Sequence, residues 1–357
     1  MRYIKKFLTI FMAFLFAVGM VSCAQKVNSF VFTAFNCQIT VCSYSKSINA
    51  KTKKFIKDFA GETENQFDAN NENSFTYLFN SLEQGRPLQL NQAQQQIFEQ
   101  ARTAHVLSGG KFDPTVYPLV KLWGFAPYKY TLNYTPPTQE QISTELSKVN
   151  FAGVSVTQDG FIIKNQANIS LDFGGIVKGY VADGIAKILK ENGFSDGYVS
   201  VGTSSLNLLK VENLSVRHPQ DSNKTLFTVH CSQVEDISVS TSGNYEKFHL
   251  GSDGNKYCHL IDPDTGYPAQ TGIASATLLG VDGTIADAFT TAICLKEYSK
   301  NNPYNELIEF LKVIENKYPN AQIFVAVIKE QDKILLTNKT QSQDFTLNDQ
   351  DFTVINF

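Results

Sequence analysis

Asp287 and Thr291 lie four residues apart in Thr284-Ile285-Ala286-Asp287-Ala288-Phe289-Thr290-Thr291-Ala292, so on a helix they share one face. A carboxylate and a hydroxyl there are hard oxygen donors that suit Mg²⁺, with water and a substrate phosphate completing its shell. An aspartate favoured by a helix N-terminal dipole accounts for the same spacing, and spacing alone does not separate the two. Leu171-Asp172-Phe173-Gly174-Gly175-Ile176-Val177-Lys178-Gly179-Tyr180 places a glycine pair at a strand-to-helix junction. Backbone N–H groups and the helix dipole can hold a phosphate there, with Lys178 as its partner. The spacing is neither a Walker P-loop nor Gly-x-Gly-x-x-Gly. Ser108-Gly109-Gly110-Lys111-Phe112-Asp113-Pro114-Thr115, running on to Leu122-Trp123-Gly124-Phe125, either lets backbone approach a ligand closely or is simply a turn. His259, at the head of His259-Leu260-Ile261-Asp262-Pro263-Asp264-Thr265-Gly266, is a candidate base or phosphate partner. A packed, hydrogen-bonded imidazole is the competing reading. Asp262 to Gly266 is a turn in either case.

Elements must hold these residues in place. Apolar spacing predicts helices over 50–67, 91–107 (capped by Asn91, ended by Ser108-Gly109-Gly110), 138–148, 176–192, 284–297 and 303–317. Strands are expected over 36–46, across 154–171 around Asp159-Gly160, and at 196–201, 206–216, 225–231 and 236–241. Further strands fall within 244–261, at 273–281, 321–328 and 333–337. Helices and strands mix without regular βαβ alternation, which makes the fold class α+β. The last stretch, 338–357, reads as a polar tail.

The chain has 357 residues, 43% hydrophobic and 18% charged, with a net charge of -3, enough for one large domain or two packed lobes. Mild acidity excludes nucleic acid as a partner, which needs a basic face. The densest basic run, Lys51 to Lys57, reads as a solvated helix face. Arg2, Lys5 and Lys6 precede an apolar run from Phe7 to Val21, then Ser22-Cys23, a secretory signal too short to span a membrane comfortably. Met20-Val21-Ser22-Cys23 resembles a bacterial lipobox, with cleavage before Cys23 and acylation of its thiol. The expected division is a signal peptide over 1–22, an anchor and linker over 23–35, a catalytic domain over 36–337 and the tail. Cys37, Cys42, Cys231, Cys258 and Cys294 lack metal-type or disulfide-framework spacing and read as buried thiols, with a single disulfide as the alternative in an exported protein.

Taken in order, the blocks Gly-Gly-Lys-Phe-Asp-Pro-Thr-Val, Asp-Phe-Gly-Gly-Ile-Val-Lys-Gly-Tyr, Thr-Ser-Gly-Asn-Tyr-Glu, His-Leu-Ile-Asp-Pro-Asp-Thr-Gly-Tyr-Pro and Ala-Asp-Ala-Phe-Thr-Thr-Ala resemble the ApbE family of FAD:protein FMN transferases. The resemblance spans roughly residues 30–335 and implies two packed α/β lobes with the FAD site between them. It implies Mg²⁺ held by Asp287, Thr291 and the Val177 carbonyl. It also implies a flavin site lined by Phe67, Lys111, Phe112, Asp113, Gly174, Tyr180 and Ile261, with Lys178 steadying phosphates and His259, near neutral pKa, assisting an incoming hydroxyl. The implied activity splits FAD and joins FMN to a threonine or serine of an acceptor protein, releasing AMP. The alternatives are an FAD pyrophosphatase releasing FMN and AMP, and a non-catalytic flavin-binding surface lipoprotein. The expected location is an exported lipoprotein held on the periplasmic or extracellular side through Cys23, with a membrane redox-complex subunit as the kind of acceptor. Two places depart from the family pattern. Phe35-Asn36-Cys37 stands where Met-Gly-Thr is usual, and Val201-Gly202-Thr203-Ser204-Ser205 stands where a glycine pair is usual.

Overall fold

The computed structural model describes residues 28–232, 235–298 and 303–357. The signal segment and Cys23 lie outside them. The frame is a nine-stranded sheet with a mostly antiparallel order. From one edge it runs Asn28–Ala34, Cys37–Ser43, Gly197–Val201, Ser205–Lys210, Glu235–Gly243, Ile273–Leu279, Gln322–Lys329, Asp332–Thr337 and Thr353–Asn356. Only the last pair is parallel.

Alternation along Gln322–Lys329 shows how the sheet is covered on both faces. Ile323, Val325 and Val327 join the core under the helices. Phe324 and Ala326 join a second core beneath a small sheet of Asn213–Arg217, Thr225–His230 and Phe345–Leu347. Every residue of Ile273–Leu279 is buried, as a central strand covered on both sides requires. The helix face carries Ala50–Phe67, Val177–Glu191, Gly283–Leu295 and Pro303–Lys317. Helices Gln92–Leu107, Tyr117–Leu122 and Gln139–Leu146 stand with two further three-stranded sheets, and Gln92–Leu107 shares its core with Gly283–Leu295. One of these sheets joins Lys256–Cys258, Phe248–Gly251 and Leu132–Tyr134. The class is α+β, as the mixed periodicity implied.

Helix starts follow local chemistry. Asn91 accepts from the Gln94 N–H while the Gln94 side chain accepts from the Asn91 N–H, a reciprocal cap. Asn49 and Thr138 cap the helices they precede.

Four expectations need correction. The run 206–216 is two strands, because the chain leaves the large sheet after Lys210 and enters the small one at Asn213. The polar tail 338–357 is not separate: Phe345–Leu347 pairs with Thr225–His230 and Thr353–Asn356 closes the large sheet. Within the supposed linker, Asn28–Ala34 is an edge strand in full register with Cys37–Ser43. The helix Phe75–Ser81 had no expected counterpart.

Candidate functional site

The polar centre of the molecule forms where helices Val177–Glu191 and Gly283–Leu295 cross. A Cβ on Gly179 would sit 1.9 Å from the Gly283 carbonyl oxygen, so only glycine permits this approach. That contact brings the Gly179 N–H to within 2.7 Å of Asp287 Oδ2. Asp287 Oδ1 accepts from Ser205 at 2.7 Å and from Ser240 at 2.6 Å, each reaching in from a strand of the large sheet. Thr290 and Ser242 extend the hydroxyl network. Burial pushes the Asp287 carboxyl above the usual carboxylate range, against the nearby Lys178 charge and the three hydrogen bonds.

The donor set fits a divalent cation. Three hydrogen bonds leave the carboxylate one lone-pair position, on Oδ2. Thr291 Oγ1 donates to the Asp287 carbonyl at 3.2 Å, so its lone pairs stay available. Gly175 lies beside Thr291 and Phe112, which places the glycine loop against the same pocket. Among the described residues no three His, Cys, Asp or Glu side chains gather as a metal cage. Few protein ligands with substrate oxygens filling the remainder is the pattern Mg²⁺ favours over a dedicated cage.

Lys178 donates to Ser204 in the loop that departs from the family pattern. Lys247, which sequence reasoning missed, completes a cationic pair. Burial lowers its pKa, and the Lys178 charge lowers it further. Neither lysine has a carboxylate ion-pair partner among the described residues. Two close cations with acidic groups nearby but none in direct ion-pair contact leave room for an anion between them. The available signal was position, since Lys247 directly follows Thr-Ser-Gly-Asn-Tyr-Glu.

His259 is half-buried, with its N–H and Nδ1 both on the Lys247 carbonyl oxygen, at 3.0 and 3.3 Å. That contact assigns the ring proton to Nδ1 and leaves Nε2 as acceptor. Burial, then the Lys247 and Lys178 charges, push its pKa down to about 3. The near-neutral expectation is therefore corrected: burial, reinforced by the Lys247 and Lys178 charges, holds the free imidazole neutral.

Other expected residues take supporting positions. Lys111 is clamped by Asp262 at 2.9 Å and Asp264 at 2.8 Å, tying the first block to the fourth. Burial works against its charge, but hydrogen bonds donated to Asp264 and Asp262 outweigh this and hold its pKa above the usual lysine value. Asp113 caps the turn at Thr115 through two hydrogen bonds, so its role here is structural. Phe112 and Ile261 are buried, and Tyr180 is half-buried against Phe59. Phe67 lies in the core, edge-on to Phe75 and Phe173, which leaves no open ring face for flavin stacking. Trp123 donates to the Gly266 carbonyl at 2.8 Å and fixes the turn after His259. Gly174 is exposed at the mouth of the glycine loop.

A model of the ApbE family matches residues 34–312. The chain belongs to the ApbE family. Its relatives include the FAD:protein FMN transferase of Treponema pallidum, 29% identical over 287 residues, which covers 74% of this chain and 77% of that protein. The FAD:protein FMN transferase of Escherichia coli is 27% identical over 262 residues, 69% of this chain and 72% of its own. Among solved structures, the ApbE protein of Thermotoga maritima matches with a TM-score of 0.73 at 23% identity, covering 85% of this chain and 94% of that one. The flavin transferase ApbE of Vibrio cholerae matches at 0.73 and 21%, covering 86% and 95%. At such identities the structural likeness speaks for the ApbE fold.

Proposed function

We propose that the chain cleaves FAD and transfers FMN to a threonine or serine of an acceptor protein. The acceptor oxygen bonds to the FMN-side phosphorus, the bond to AMP breaks, and the hydroxyl proton is released. The observation that carries this reading is the convergence of Asp287, Thr291 and the Val177 helix start with Lys178 and Lys247, neither of which is in a direct ion pair among the described residues. Names of the relatives above support the same chemistry.

Each group has a task the geometry supports. Lys178 and Lys247 bind the pyrophosphate and offset its charge. The Gly174-Gly175 loop lets backbone approach it. Mg²⁺, if held by Asp287, Thr291 and the Val177 carbonyl, supplies Lewis-acid stabilisation of charge on the phosphate oxygens. His259 Nε2 accepts a hydrogen bond from the incoming hydroxyl and orients it. Because the bound pyrophosphate counters the two lysines, the His259 pKa rises in the complex toward a useful base strength.

The sequence start supports an exported lipoprotein acylated at Cys23, with a membrane redox-complex subunit as the kind of acceptor that stays within reach. A Cys23→Ala chain should leave the membrane fraction, and its retention there would refute the anchor. The function itself is tested by incubating the protein with FAD, Mg²⁺ and an acceptor bearing an exposed threonine. Flavin fluorescence on the acceptor after denaturing electrophoresis is expected. Free FMN alone would favour the pyrophosphatase, and unchanged FAD the flavin-binding protein.

A further inference from the structure

The edge strand Asn28–Ala34 and the first half of helix Ala50–Phe67 form a face that the flavin chemistry does not use. On it, Lys53 lies 5.4 Å from the Phe30 ring centroid, Lys57 6.0 Å from Phe32, and Lys51 5.6 Å from Phe55. Phe30 and Phe32 stack on each other at 5.7 Å, and Phe55 is 44% exposed. None of the three lysines has a carboxylate ion-pair partner among the described residues; the neighbouring Lys54 does, in Asp58. Phe30 and Phe32 also pack against the core beneath the helix, so the exposed Phe55 ring is the one that can meet lipid while the ammonium groups meet phosphate in the headgroup region. A merely solvated helix face has no need of three aromatic partners.

Chain length adds an independent constraint. Five Cα steps separate Cys23 from Asn28, a reach of at most about 18 Å. Ser47 donates to Asn28 at 2.8 Å, so the start of the strand and the approach to the helix sit together. A lipid on Cys23 therefore keeps this corner within about 18 Å of the bilayer surface. Strand and helix both run from there toward the flavin site. The strand ends at the Phe35-Asn36 turn, where the Phe35 N–H donates to Glu64 at 2.5 Å, and the helix ends at Phe67.

We infer that this basic, aromatic face rests on an anionic membrane surface beside the Cys23 anchor, with the flavin site about one strand-length along the molecule from that anchor. The inference rests on the Cys23 anchor.

The test uses the full lipidated protein in detergent and in vesicles of phosphatidylcholine with or without phosphatidylglycerol. A water-soluble amine reagent reports each lysine by mass spectrometry. Lys51, Lys53 and Lys57 should react at least about fivefold more slowly on phosphatidylglycerol vesicles than in detergent, the factor matching one lysine's attraction to an anionic surface. Lys312, exposed on helix Pro303–Lys317, should not change. High salt should reduce the protection. The double variant Lys51→Glu/Lys57→Glu should remain vesicle-bound yet lose protection at Lys53, with FAD turnover in detergent unchanged. Vesicle-bound protein whose three lysines react as fast as in detergent overturns the orientation while the anchor stands. Protein that never sediments with vesicles refutes the anchor and the orientation with it.

Discussion

Two buried regions of this chain are built in opposite ways. Under the small sheet, Phe227 and Phe324 stack at 4.6 Å and Phe345 meets Phe324 edge-on at 5.3 Å. That cluster is almost wholly apolar. At the helix crossing, by contrast, a carboxylate, several hydroxyls and two glycines occupy space that hydrocarbon could fill. Burying a carboxylate costs free energy even when it is hydrogen-bonded. The apolar region is built for stability and the polar one for charge, so changes to each should separate folding from turnover.

Phe324→Ala should have the largest effect. It should cost about 3–5 kcal/mol of stability, read as a lowered denaturation midpoint, with turnover per folded molecule kept. Lost turnover in fully folded protein would break the contrast. Asp287→Asn should do the reverse. Its amide oxygen can keep the Gly179 N–H while the serine hydroxyls turn to accept from its nitrogen. Turnover should fall at least about 100-fold, with a thermal midpoint equal to or above the parent's because no charge is buried.

Ser205→Ala/Ser240→Ala sharpens the same point. Without its two hydroxyl partners the Asp287 carboxylate loses its orientation, and half-activation should need about 10–100-fold more Mg²⁺. Saturating metal should restore most of the rate; an unchanged metal requirement would count against a positioning role. The smallest effect concerns His259. Because its free pKa is depressed to about 3, kcat/KM should show no His259 protonation limb between pH 5 and pH 7. Bound pyrophosphate favours the protonated ring, so the acid limb of kcat should lie at higher pH than that of kcat/KM. Coincident limbs near the ordinary histidine value would contradict the cationic environment described here.

Sequence pattern made most helices legible, since 50–67 and 303–317 coincide with the observed bounds. It also placed Asp287, Thr291 and the glycine loop in dense local motifs, which the structure brings to one helix crossing. The strands at Phe345–Leu347 and Thr353–Asn356 were not legible, because short strands among polar residues carry too few alternations to register. Ser205, Ser240 and Lys247 escaped for another reason. They act on Asp287 and Lys178 across 82, 47 and 69 positions of chain, and only the strand order brings them together. Phe67 erred the other way. An aromatic at the end of an amphipathic helix serves core packing as readily as flavin stacking, and here Phe75 and Phe173 claim it.

The central claim is that one site splits FAD and passes FMN to a protein hydroxyl. Its most direct measurement counts AMP released and flavin bound to acceptor in the same reaction, with parent protein and with Asp287→Asn. The account predicts one AMP for each covalently bound flavin, with both lost together in the variant. AMP release without acceptor-bound flavin, or undiminished transfer by Asp287→Asn, would contradict it.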